Sequence, residues 1–253
     1  MRAGEKERHP RPDAAEHRGS VRGTHAVVVM ARAPQAGKVK TRLCPPLTRE
    51  QAACLYECLL QDSLHHLGST AQWDLWIAYT RGSRDYFEAN VGPVYSLLRQ
   101  RGNSLGTRMH TLFRDLFDLR YESVILVGSD IPGITLAAIE QAFRLLETGA
   151  CDVALGPSDD GGYYLAGLKE PRGALFQHIT WSTADVLEQT LERAADVGLR
   201  VSMVQSTYDV DVGTDLERLW ADLKDSRALQ QHIPQTYQWL GAYHAEPFRY
   251  PLP

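Results

Sequence analysis

The chain has 253 residues, 43% of them apolar and 23% charged, the proportions of an ordinary globular protein with room for one α/β domain. A net charge of −4 without any Lys/Arg-rich run excludes a nucleic-acid groove as the organising feature. No apolar stretch approaches the roughly 20 residues that span a bilayer, so no membrane partner is expected.

Residues 1–24 are charged and lack the apolar stretch of a secretory signal, so they read as a disordered leader. HAVVVMA (25–31) is the first predicted strand, and the loop ARAPQAGKVKTRL (31–43) follows it. A helix over 47–67 opens with Thr48 and Gln51 as a capping box, after the helix-excluding Pro45-Pro46. Within it Cys54 and Cys58 read as buried thiols, and His65-His66 as solvated or capping groups at its end. The four cysteines form no C-x-x-C pair, which fits reduced thiols and the cytoplasm.

Strand 73–79 comes next, then a helix over 105–119, strand 123–129 and a helix over 135–149 that ends on Gly149. DVALG (152–156) is a strand, and the Asp-Gly of GPSDDGGYYLAGL (156–168) signals a hairpin turn. A helix follows, with Ser182 as cap, Asp185 at N3 and Trp181 stapled to Val186. Strand 200–204 and a last helix opened by a Thr214–Glu217 capping box complete the pattern. Alternating strands and helices predict a mostly parallel sheet covered on both faces, with ligands beyond the carboxyl ends of the strands.

Four loops at such ends carry chemistry. Gly37 permits close backbone approach, and Lys38, Lys40 and Arg42 place three cations within five residues, which suits either a phosphate chain or a solvated basic turn. It is neither a Walker A loop nor G-x-G-x-x-G. Asp130, after the apolar strand of LVGSDIPG, is placed to hold Mg²⁺ or to organise the turn before Pro132. Asp159-Asp160 and Gly161-Gly162 exceed what a turn needs and suit an acceptor group or a second metal. Tyr163 and Tyr164 read as sheet packing. Asp209 and Asp211 share a face if extended, and Asp211, at the strand end, is the second carboxylate for a metal on Asp130; Asp215 is explained by its place in a helix's first turn. There is no G-x-S-x-G elbow, no H-E-x-x-H and no Cys/His cluster.

Together these loops resemble a known bacterial family. ARAPQAGKVKTRL is similar to a K-A-P-x-P-G-x-V-K-T-R-L signature, and LVGSDIPG, LGPSDDGGYYLAGL, WSTADVL and DVDVGTDL follow in the same order. The chain resembles, from about residue 24 to about 223, the radical-SAM/selenodomain-associated transferases of the nucleotide-diphospho-sugar transferase (GT-A-like) superfamily. Distant relatives there include the 2-phospholactate and molybdenum-cofactor guanylyltransferases.

The resemblance implies an α/β, three-layer Rossmann-like GT-A fold with a mostly parallel central sheet over 25–225, followed by a C-terminal extension, 226–253. It implies a donor phosphate site of Gly37, Lys38, Lys40, Thr41 and Arg42, and a Mg²⁺ or Mn²⁺ ion on Asp130 and Asp211. Lys40, Asp130 and Asp211 are the expected catalytic residues; Asp159, Asp160, Gly161, Gly162 and Trp181 would line the acceptor side. Arg32 and Ala36 depart from the usual lysine and proline, and Asn103-Ser104 from an acidic pattern. The expected activity is nucleotidyl transfer from an NTP to a small phosphorylated or hydroxylated acceptor. Glycosyl transfer from a nucleotide sugar, and a non-catalytic nucleotide-binding subunit, are the alternatives.

Overall fold

Ala26 to Val29 are completely buried, as a strand covered on both faces requires. The computed structural model describes residues 17–18, 23–92 and 95–245. Apart from residues 17–18 and 23–24, the expected leader lies outside them, as do 246–253 of the expected extension.

In chain order the first half comprises β1 (His17–Arg18), β2 (His25–Ala31), α1 (Arg49–Leu67), β3 (Asp74–Tyr79), α2 (Arg84–Asn90), β4 (Ser96–Arg99), α3 (Leu105–Asp118) and β5 (Ser123–Gly128). The second half comprises α4 (Leu136–Glu147), β6 (Val153–Pro157), β7 (Tyr163–Leu168), α5 (Val186–Asp196), β8 (Val201–Met203), α6 (Gly213–Asp225), α7 (Arg227–His232) and α8 (Pro234–Ala245).

The strands form one sheet in the order β1-β4-β3-β2-β5-β7-β6-β8. β4, β3, β2 and β5 run parallel, as do β6 and β8; β7 is antiparallel to both its neighbours and β1 antiparallel to β4. The expected mostly parallel α/β sheet is therefore present. The predicted Asp-Gly hairpin is present too, as β6 and β7 joined through residues 158–162. β1, whose residues fall in the expected disordered leader, and β4, α2, α7 and α8 had no counterpart among the predicted elements.

One face of the sheet packs Val27, Ile125 and Ile77 against α1 and α4; the other packs Val28, Trp76 and Leu126 against α3 and α5. A further apolar cluster joins Leu55 and Leu59 of α1 to Leu216 and Leu219 of α6 and Trp239 and Leu240 of α8. Among the described residues no helix is long and apolar enough to cross a membrane.

The Thr48–Gln51 capping box forms as expected, with Thr48 Oγ1 accepting the Gln51 N–H at 3.2 Å and Gln51 Oε1 accepting the Thr48 N–H at 2.8 Å. Two other caps differ. α5 begins at Val186 after Asp185, not at Ser182, whose φ of 69° places it in the left-handed region, so the Trp181–Val186 staple does not frame a cap. At α6 the capping carboxylate is Asp215 rather than Glu217: its Oδ2 accepts the N–H groups of Asp211 and Val212 at 2.9 and 2.8 Å. A two-residue difference in where the helix starts decides which acid reaches the exposed donors.

Cys54 and Cys58 are half-buried rather than buried, and all four cysteines are free thiols. His66 is not solvated: its ring meets His232 edge-on with centroids 3.9 Å apart. Burial first, then His232 and His65, pull its imidazole down to about 4. Beside it, buried Asp62 accepts the N–H groups of Gln235 and Thr236 at 3.1 and 2.8 Å, capping α8 from a distant part of the chain.

Asp62→Ala should lower unfolding stability by about 2 kcal/mol in urea titration, because two N-terminal donors lose their acceptor. Because the folded state favours neutral His66, stability should be full above about pH 6.5 and fall toward pH 4. His66→Asn should flatten that dependence in the same titration.

Candidate active site

β2 and β5 lie side by side in parallel, with Met30 opposite Gly128, so the loops that follow them leave the sheet at one level. Lys40, in the first loop, has φ 48° and ψ 37°, a left-handed conformation that costs an L residue roughly 1–2 kcal/mol. That turn sends its side chain inward, where it is 4% exposed. Its ammonium forms an ion pair with Asp130 Oδ2 and lies 3.5 Å from Asp211 Oδ1. Burial pulls the Lys40 pKa down, but Asp130, Asp211 and Asp209 together more than reverse this and leave it raised. Arg42, itself largely exposed, holds the other oxygen of Asp211.

Asp211 is not on a strand. It sits in the loop before α6, positioned by the Asp215 carboxylate through its backbone N–H. Asp209 lines the same cavity, its Oδ1 accepting from Ser158 Oγ at 3.3 Å. Its carboxyl is pushed above the usual range by burial, then by Asp130 and Asp160.

The cavity, about 530 Å³, is lined by Lys38, Lys40, Thr41, Arg42, Asp130, Asp160, Gly162, Trp181 and Asp211 among the expected site residues. Three expected residues do not line it. Gly37, with φ 73°, packs against the Arg49 side chain. Asp159 turns away to Arg218 at 2.7 Å, beneath which the Tyr208 ring lies 3.8 Å from the guanidinium carbon. Gly161, with φ 86°, supports the backbone at Ala184 and accepts the Leu187 N–H at 2.9 Å. Asp160 folds its own loop, Oδ1 accepting the Gly162 N–H at 2.9 Å. Tyr164 is buried as sheet packing, and both Tyr163 and Tyr164 also contribute to the cavity wall.

One lining residue gave no signal in the sequence, and a second, Asp209, is marked there only as sharing a face with Asp211. Tyr56, on the buried face of α1, accepts the Arg32 N–H at 3.1 Å and meets Ser129 Oγ at 2.9 Å, which ties the two strand-end loops together. Burial, then Asp130, raises its pKa. Asp209 lay near Asp211 in sequence, but its raised pKa comes from burial first and then from Asp130 and Asp160, far along the chain.

Among the described residues no group of three or more His, Cys, Asp or Glu side chains could hold a metal on its own. Asp130 and Asp211 nevertheless converge on one cation, the Lys40 ammonium. Mg²⁺ prefers one or two carboxylates, with phosphate oxygens and water completing its octahedron, so this donor set fits a metal brought with a phosphate ligand.

A family model described as an uncharacterized protein conserved in bacteria (DUF2064) matches residues 63–183. The chain is similar to a solved structure from Desulfovibrio desulfuricans G20, provisionally assigned as a nucleotide-diphospho-sugar transferase. Identity is 33% and the TM-score 0.82, over 88% of this chain and 96% of that one. A cytidylyltransferase from Leptospira borgpetersenii shares the fold at 12% identity and a TM-score of 0.54, over 89% and 96% of the two chains. So does a 4-diphosphocytidyl-2C-methyl-D-erythritol synthase from Anaerococcus prevotii, at 9% identity and a TM-score of 0.50, over 87% and 99%. No curated protein matches the chain.

The two adjacent glycines should separate cleanly under substitution. A Cβ on Gly161 would stand 2.0 Å from the Ala184 carbonyl oxygen, whereas one on Gly162 would meet only the Asp160 side chain at 3.1 Å. Gly161→Ala should therefore cost about 2–3 kcal/mol of stability and Gly162→Ala under about 1 kcal/mol, read by thermal unfolding.

Proposed function

The chain belongs to the nucleotide-diphospho-sugar transferase family, within the GT-A-like superfamily, and from that premise we propose nucleotidyl transfer from an NTP to a small phosphorylated or hydroxylated acceptor. The observation that carries this reading is the buried Lys40 ammonium between Asp130 and Asp211, with Arg42 beside it, at the carboxyl ends of the strands.

In this reading Lys40, Thr41 and Arg42 bind and orient the donor phosphates. An acceptor oxygen attacks the α-phosphorus, the bond to the β-phosphate oxygen breaks, and pyrophosphate leaves. Asp209, which lines the cavity and whose carboxyl is held above its usual range by burial, then by Asp130 and Asp160, takes the proton of an acceptor hydroxyl. Asp160 and Trp181 line the acceptor side of the cavity. Asp130 and Asp211 would hold Mg²⁺ or Mn²⁺, whose chemistry there is neutralisation of charge on the phosphates. The remaining acceleration comes from position and fixed charge.

Glycosyl transfer from a nucleotide-diphospho-sugar is the second reading, favoured by the name of the Desulfovibrio relative. It uses the same cations on a diphosphate.

Thermal-shift measurement across NTPs and nucleotide sugars, each with and without Mg²⁺, tests the choice. A ligand at 100 times its Kd adds about 2.7 kcal/mol to the folded state. Stabilisation by one triphosphate that requires Mg²⁺ supports nucleotidyl transfer; a response to a nucleotide sugar alone moves the assignment to glycosyl transfer. Once a turnover assay is in hand, Asp130→Asn should reduce its rate by about 10²–10³, roughly 3–4 kcal/mol. An unchanged rate would sink the metal assignment.

A further inference from the structure

Beside the Lys40 centre, between the loops after β2 and β3 and the start of α3, lies a second cavity of about 360 Å³. It shares Arg32, Lys38 and Arg108 with the first, and Arg81 belongs to it alone. These four cations face one space, and no acidic residue lines it.

Among the described residues none of the four forms an ion pair. Arg108 donates its Nε–H to the Gly102 carbonyl at 3.1 Å. Elsewhere this acidic chain pairs its arginines readily: Arg84 with Glu88, Arg101 with Asp115, Arg200 with Asp152 and Arg218 with Asp159. Four uncompensated like charges around one cavity repel one another, and an anion in the cavity turns that repulsion into attraction.

The frame beneath them is fixed. Buried Ser83 accepts the Ala33 N–H on Oγ at 2.9 Å and lies 3.1 Å from Thr80 Oγ1, which locks the loop after β3 to the loop after β2. Three guanidinium forks and one ammonium on such a frame match the oxygen-rich faces of a phosphate chain. A single carboxylate would leave most of that charge unmatched.

We propose that this basin is a polyphosphate subsite, taking terminal phosphates of a ligand that reaches from it to the Lys40 centre. The inference rests on the nucleotide-donor reading and deepens it: the donor is a nucleoside triphosphate, selected over diphosphates and nucleotide sugars by Arg32, Arg81 and Arg108.

Calorimetric titration of the full chain tests this with inorganic triphosphate, an NTP, the matching NMP and a nucleotide sugar, on the native protein and Arg81→Gln. Arg81 is exposed and outside the first cavity, and thermal unfolding confirms that the variant folds. The expected result is a roughly tenfold weaker affinity of Arg81→Gln for the NTP and for inorganic triphosphate, with NMP and nucleotide-sugar affinities unchanged. Affinity for both triphosphates should also fall as salt rises. Native binding of the NTP that is insensitive to Arg81→Gln, or that changes equally with NMP, overturns the subsite and leaves the nucleotide reading standing. Arg81-dependent binding of inorganic triphosphate without any nucleotide binding keeps the basin and overturns the donor reading. Binding of neither overturns both.

Discussion

A lysine ammonium with 4% of its side chain exposed is tolerated only where its charge is answered, and Lys40 is answered by carboxylates from two separate loops. Burial alone would favour the neutral amine; the surrounding aspartates reverse that and keep it charged. Removing either carboxylate would leave a charge buried against an incomplete set of partners. The interaction is therefore a constraint on three parts of the fold at once: the left-handed turn at Lys40, the strand end that presents Asp130 and the loop that presents Asp211.

Each part is held by different physics. Asp130 follows β5, whose register with β2 sets both loops at one level, and Tyr56 reinforces this by bonding to Arg32 and Ser129 together. Asp211 has no strand beneath it. Its backbone is held by Asp215, and α6 is held in turn by apolar packing on α1, continued by α8, which Asp62 caps. The C-terminal helices, remote from the cavity in sequence, thus bear on where one carboxylate of the site stands.

This division explains what could be read from the sequence. The strands announced themselves as runs of β-branched residues, and Thr48–Gln51 announced a helix start, because both signals are local. Lys40, Asp130 and Asp211 stood out because strand-end loops concentrate polar residues between apolar runs. Tyr56 did not, because it sits on a helix face like any core aromatic, and Asp209 was legible only as a neighbour of Asp211, since burial, then Asp130 and Asp160, make its environment. Asp159 and Gly161 looked like ligand-contacting residues, yet one pairs with Arg218 and the other admits the backbone at Ala184. A doubled Asp-Asp-Gly-Gly cannot reveal by itself which of its members turns inward. β4, only four residues long, carries too few residues for a period to show.

Net charge is the coarsest of these signals, and here it conceals the distribution that matters. A total of −4 describes a chain in which the Lys40 centre is neutralised internally while the neighbouring basin holds four cations with no acid on its wall. A compact anion could answer one of these environments, but not both. A ligand with charge spread along a chain can lie against the basin at one end and present phosphate oxygens to Lys40 and Arg42 at the other. It would then draw Lys40 partly away from its aspartates, freeing carboxylate oxygens for a divalent ion at the moment the phosphates can complete that ion's shell. On this argument, the proposed phosphate and metal binding would reinforce each other, because the buried lysine that would turn to the phosphates is the partner of the carboxylates in the free protein.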